Sequence, residues 1–207
     1  MIDEGYIKFN CEWIETGPIS KQGLKEIKHY RDQLYQQGLV GVYENGVGFG
    51  NISVRQGKEQ RFIITGTQTG HVEKLGPEGF VRVLDYKIDK NYVHCEGPLK
   101  ASSESLTHAM VYEINPSIGG VIHIHHRGLW TKLLHQVPTT SQVPYGTPEM
   151  AHEVKRLYLE TDLKDKKIFA MSGHEEGIVT FGRDLGEAHR VLMRYFKSPV
   201  GTAHPTS

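Results

Sequence analysis

The sequence predicts one mixed α/β domain, a central β-sheet flanked by helices. Three observations predict it. Short β-rich or alternating runs interleave with helix-length amphipathic stretches along the chain. The length, 207 residues, suits a single core, and no repeat, low-complexity tract or charge run divides it. The 24 basic and 24 acidic side chains balance to a formal charge of zero, and two cysteines make no disulfide scaffold, as in an ordinary globular domain.

The elements follow in order. Residues 20–37 read as an amphipathic helix with Ser20 as N-cap, an apolar stripe of Leu24, Ile27, Tyr30 and Leu34, and Gly38 at the C′ position. A glycine-dense stretch, 41–51, precedes two β-rich runs, 52–55 and 61–65, and residues 80–88 alternate as a half-buried strand. Pro98 interrupts pairing. Ser102 and Ser103 are expected to cap a helix reaching Ile114 and ended by Asn115-Pro116. Residues 119–125 form a strand, and 129–135 a helix followed by a loop holding Pro138 and Pro144. Thr147, with Pro148 at the first helical position, opens a helix to Glu160. Strands at 168–171 and 177–181 flank a turn, and Asp184 opens a last helix to Phe196. The segment 11–14 is expected to pack on a neighbouring molecule.

Charge balance excludes a nucleic-acid or anionic-membrane surface as the main partner. Apolar runs are broken by His, Gly or charge, so no membrane span is expected. The first ten residues carry two acids and no apolar stretch, and Cys11 and Cys95 make no disulfide framework. A cytoplasmic protein is the expectation, with residues 1–197 as the domain and 198–207 as a mobile tail.

Twelve histidines are present, and two stand in Val121-Ile122-His123-Ile124-His125. On a strand, residues i and i+2 share a face, so His123 and His125 project side by side and can hold one divalent ion at about 2.0–2.1 Å. Apolar neighbours indicate a buried strand, where two unpaired imidazoles are costly. Two further ligands must come from elsewhere. Glu104, at a helix start, serves either as ligand or as a dipole partner. His174, in a polar turn, serves either as ligand or as a solvated side chain. The residues alone leave both open.

Gly50-Asn51-Ile52-Ser53, Thr67-Gln68-Thr69-Gly70, Ser102-Ser103-Glu104 and His123-Ile124-His125 occur in the order and rough spacing of the class II aldolase/adducin family. The chain resembles that family from Ser20 to Phe196. The resemblance implies a three-layer fold and a phosphate cradle of Gly50, Asn51, Thr67, Thr69, Gly70, Ser102 and Ser103. It implies a divalent ion, zinc in the aldolases, held by Glu104, His123, His125 and His174. Glu104 would also act as base. The implied activity is a lyase that cleaves or forms a C–C bond in a small phosphorylated sugar or ketose through a metal-stabilised enediolate. The alternatives are an epimerase, dehydratase or decarboxylase on the same scaffold, or a non-catalytic binding module. Family enzymes are commonly tetramers, so a homo-oligomer is expected.

Three features depart from the family pattern. Glu175 and Glu176 stand between His174 and Gly177. The segment between His135 and Thr147 is short, with Tyr145 its only tyrosine. The 66–70 turn lacks the family's proline. His126 and Arg127 read equally as contacts for an acidic substrate or as a surface pair at a strand end.

Overall fold

The computed structural model describes residues 6–21, 23–57 and 60–197. The expected tail, 198–207, lies outside them. Among the described residues ten strands form: β1 (Asn10–Glu15), β2 (Gly41–Val42), β3 (Gly48–Phe49), β4 (Asn51–Gln56), β5 (Arg61–Thr65), β6 (Phe80–Lys87), β7 (Tyr92–Gly97), β8 (Gly120–His125), β9 (Ile168–Ala170) and β10 (Gly177–Gly182). The helices are α1 (Lys25–Gln36), α2 (Ser105–Ile114), α3 (Arg127–Leu133), α4 (Pro148–Glu160), α5 (Leu163–Lys166) and α6 (Leu185–Phe196). Eight strands make one sheet in the order β1-β7-β6-β5-β4-β8-β10-β9, and β2 and β3 form a separate hairpin. All neighbours in the large sheet are antiparallel except the parallel pair β1–β7.

Strand alternation splits the core in two. Val121 of β8, Phe62 and Ile64 of β5, and Val179 and Phe181 of β10 pack with Leu106 and Met110 of α2 and with Met150 and Val154 of α4. Ile122 and Ile124, Ile63 and Ile178 point the other way, onto Ile27 and Leu34 of α1, Leu129 of α3, and Leu185 and Leu192 of α6. Each fully buried side chain of this kind contributes about 1.5–3 kcal/mol of transfer free energy. His123 and His125 share the face of Val121, so the histidine pair looks toward α2 and α4.

Most helix ends follow their predicted caps. The Thr147 hydroxyl accepts from Met150 N at 3.4 Å with Pro148 next to it, and Asp184 Oδ1 accepts from Glu187 N at 2.6 Å. Gly38 takes φ +69, and its N–H bonds Tyr35 O while Leu39 N bonds Leu34 O, which closes α1.

Four expectations are corrected. α1 starts at Lys25 behind Leu24, not at Ser20. Ser102 and Ser103 do not cap α2; Glu104 occupies the N-cap position, with no side-chain cap bond, and Ser102 O instead accepts from Ser105 N and Oγ. α3 begins earlier than residue 129, because His126 Nδ1 accepts from Leu129 N at 2.9 Å and caps it. Residues 11–14 pack on their own domain as edge strand β1, where Trp13 Nε1 donates to Gly97 O at 3.0 Å. No helix among the described residues is long and apolar enough to cross a membrane.

Candidate metal centre

Antiparallel pairing of β8 with β10 sets Gly177 opposite His125, so the turn before β10 folds back over the histidine pair. His174 N bonds Met171 O, and Gly177 N bonds His174 O, which holds the His174 side chain inward. The result is a cluster of His123, His125 and His174, only 1%, 3% and 4% exposed. Their ring centroids lie 4.9, 5.1 and 4.7 Å apart pairwise. One nitrogen from each lies within 4.8 Å of the others, so the three can hold a metal ion.

Glu104 joins this cluster through His174, whose Nδ1 lies 3.3 Å from Oε1. Its other oxygen accepts from Thr107 Oγ1 at 2.6 Å. Burial alone would raise this carboxyl. The contact with and charge of His174, the charge of His123 and the Thr107 hydroxyl outweigh burial and hold it at about 2. Burial pushes His123 down to about 3 and His125 well below its ordinary value, so both rings are neutral, the form that ligates a metal.

The tautomer of His125 follows from its neighbours. Tyr43, on the β2–β3 hairpin, donates its hydroxyl to Glu176 Oε2 at 2.9 Å and lies 2.9 Å from His125 Nδ1. With its proton committed to Glu176, the hydroxyl oxygen accepts from Nδ1–H, leaving the Nε2 lone pair to the site. Arg127 Nε fixes Glu176 in turn through Oε1 at 2.8 Å. The acid added to the turn therefore orients a ligand from behind, and Glu175 pairs outward with Arg127 at 2.8 Å. Arg127 and His126 are both accounted for, one as this anchor and the other as the α3 cap.

His123 Nδ1 lies 3.3 Å from the Asn51 amide nitrogen. His123 Nε2 and Asn51 Oδ1 are both buried without a hydrogen-bond partner among the described residues. Turning the amide would place Oδ1 against Nδ1–H and leave the His123 Nε2 lone pair free to ligate. Three buried imidazoles with a carboxylate alongside fit a zinc-type donor set.

The segments expected to cradle phosphate contact the elements that carry this cluster. Gly50 has φ +74, and a side chain there would meet Leu39 O and His123 O. The 66–70 turn docks on the segment before α2 through the Gly66–Ala101 bridge and the bond from Thr67 N to Lys100 O. Ser102 and Ser103 are buried, and Thr69 Oγ1 donates back to Gly66 O at 2.9 Å. Gln68 adopts a left-handed φ of 59, uncommon for a non-glycine residue. At Gly70 a Cβ would lie 2.0 Å from Gly41 O, so its lack of side chain serves the seating of the hairpin.

Two contributors, Tyr43 and Arg31, do not stand out in the sequence as site residues. Tyr43 lies in a glycine-dense run 82 residues from its partner, with no local pattern to mark it. Arg31 is 1% exposed and binds Glu73 O and Thr69 O at 2.7 and 3.1 Å, tying the 66–73 loop to α1. Its helical spacing with Ile27 and Leu34 was the available signal. Tyr145 stacks on His174 at 4.2 Å, under the Lys8 ammonium. Beneath the centre, Ser53 Oγ links His108 Nδ1 at 2.6 Å with the Tyr112 hydroxyl at 2.7 Å.

A family model described as the class II aldolase and adducin N-terminal domain matches residues 25–196. Among solved structures, an L-fuculose 1-phosphate aldolase superposes with a TM-score of 0.63 at 20% identity, covering 90% of this chain and 92% of that one. A sugar-phosphate aldolase from Thermotoga maritima gives 0.64 at 20%, covering 86% and 91%. An L-fuculose-1-phosphate aldolase from Thermus thermophilus gives 0.53 at 21%, covering 86% and 96%. At these identities the structural likeness concerns the fold.

Proposed function

The chain belongs to the class II aldolase and adducin family, and from that premise we propose that it is a metal-dependent lyase acting on a C–C bond of a small phosphorylated sugar or ketose. The observation that carries the reading is the convergence of three buried imidazoles beside a buried carboxylate. His123, His125 and His174 would hold the ion, with zinc favoured by the donor set. When bound, the ion supplies a Lewis acid for the substrate's carbonyl oxygen.

The chain's own groups do the rest. Glu104 is the proposed base. Its proton affinity is held low by its partners and raised by burial, so loosening it from His174 moves it toward a useful pKa. Asn51 and the Tyr43–Glu176 pair keep the imidazoles aimed. Thr67, Thr69, Ser102 and Ser103, with backbone N–H groups near Gly50 and Gly70, are the proposed phosphate donors. Enclosure of the centre by the hairpin and the 171–177 turn excludes water from the reacting carbon. The same reading makes the protein a cytoplasmic homotetramer.

A second reading, epimerisation, dehydration or decarboxylation at the same centre, is favoured by one observation. Tyr145, the only tyrosine in its segment, has its ring sandwiched between Lys8 and His174, a placement that suits a structural role better than protonation of a leaving group.

The test is product analysis with the metal-loaded protein and a panel of ketose and aldose phosphates. Release of two carbonyl fragments supports the lyase, and an epimerised or dehydrated product of unchanged carbon number, or a product shortened by carbon dioxide, supports the second reading. Glu104→Gln is expected to lose at least about 100-fold in turnover while remaining folded. Undiminished turnover would end the role of Glu104 as base.

A further inference from the structure

Cys11 and Cys95 stand on neighbouring parallel strands. In the register of β1 and β7, Cys11 pairs with Val93 and Trp13 with Cys95, so all four side chains share one face. The two Sγ atoms lie 3.7 Å apart, in contact but unbonded, and both thiols are free. Their surroundings differ. Cys95 is sealed in the core, whereas Cys11 is partly exposed along the sheet edge.

We propose that Cys11 and Cys95 form a two-thiol site oxidised by hydroperoxides, with Cys11 as the attacking thiolate and Cys95 as the resolving thiol. The Cys95 S–H hydrogen bond, aided by the charge of Lys100, outweighs burial and brings Cys11 down to about 7, while Cys95 moves up. A thiolate and its accessible edge therefore coincide on the same residue. In the first step the Cys11 sulfur attacks the peroxide O–O bond, giving Cys11–SOH and, after one proton is taken up, water or an alcohol. In the second, Cys95 sulfur displaces hydroxide from that sulfenic acid, the Cys95 proton leaves with it as water, and the Cys11–Cys95 disulfide forms. Two electrons pass from the thiols to the peroxide.

The bond would span strands whose cysteines are 84 residues apart in sequence and fasten the sheet's edge strand. Neither residue belongs to the proposed metal centre, so this site stands whatever reaction the centre performs.

The test uses the full chain, fully reduced and then treated with a slight excess of hydrogen peroxide. The expected result is loss of both titratable thiols, an intact mass lower by two hydrogens, and a non-reduced peptide map joining Cys11 to Cys95, all reversed by dithiothreitol. Cys95→Ser is expected to accumulate a dimedone-reactive sulfenic acid at Cys11, and Cys11→Ser to leave Cys95 unoxidised. Survival of both thiols, disulfide-linked dimers, or oxidation of Cys95 at the native rate in Cys11→Ser would overturn the proposal. The peptide map of the unsubstituted protein decides the matter if either variant misfolds.

Discussion

At the scale of single residues, the Tyr43 hydroxyl is the most informative group. It connects Glu176 to His125 Nδ1, on the side of the ring away from the Nε2 that would ligate. Groups of this kind are worth about 10–100-fold in metal affinity. Tyr43→Phe is expected to weaken metal binding by about that factor, read by competition with a chromogenic chelator, with the thermal midpoint of the metal-free protein little changed. Equal affinities would reduce Tyr43 to packing. The residues the sequence made legible were those whose relation is local: His123 and His125 two apart on a strand, Thr147-Pro148 and Asp184 at helix starts. Glu104 and His174 were ambiguous because a first-turn acid and a turn histidine have ordinary uses, and only resemblance singled them out. Tyr43 and Tyr145 acquire their roles through contacts across the fold that no nearby spacing encodes, and the spacing of Arg31 with Ile27 and Leu34 marks its burial but not the loop carbonyls it binds.

At the scale of elements, the hairpin of β2 and β3 is the piece that closes the centre, and Gly70 is its seat. A Cβ there would meet the backbone of Gly41 and Gly48, at 2.0 Å from Gly41 O and 2.9 Å from Gly48 Cα. Gly70→Ala is therefore expected to cost about 1–3 kcal/mol, as overpacking does, and to weaken metal binding by displacing Tyr43. Urea unfolding and the same chelator competition measure both; a stability change without any change in affinity would separate the hairpin from the centre. Central strands β4, β5, β6 and β8 were readable because their apolar runs or alternation face two helical layers. Strand β7 carried a fainter signal, Val93 and Cys95 inward between polar neighbours, and β1 fainter still, since an edge strand with Ile14 46% exposed needs little apolar content. Its parallel pairing with β7 could not be inferred from either segment alone.

At the scale of the whole molecule, the metal-free protein stores a pH dependence in its buried imidazoles. Burial lowers His123 to about 3 and His108 to about 4, both beneath the ordinary 6.5. Between those values the unfolded chain binds more protons than the native state, so stability rises with pH and is lost on acidification. Glu104 works in the same direction lower down, between 4.5 and about 2. The urea midpoint of the metal-free protein should therefore fall steadily from about pH 7 to about pH 4, and His108→Gln should flatten that slope. A midpoint independent of pH across this interval would contradict the burial of neutral rings. A divalent ion that binds only the native cluster should raise the midpoint with its concentration.

The proposed chemistry requires three imidazoles to share one cation, and anomalous scattering locates that cation directly. Crystals grown with zinc and measured on both sides of its absorption edge should show one strong peak per chain, within about 2.0–2.1 Å of a nitrogen from each of His123, His125 and His174. No peak at that position, or a peak bound elsewhere on the chain while these rings remain without metal, would contradict it.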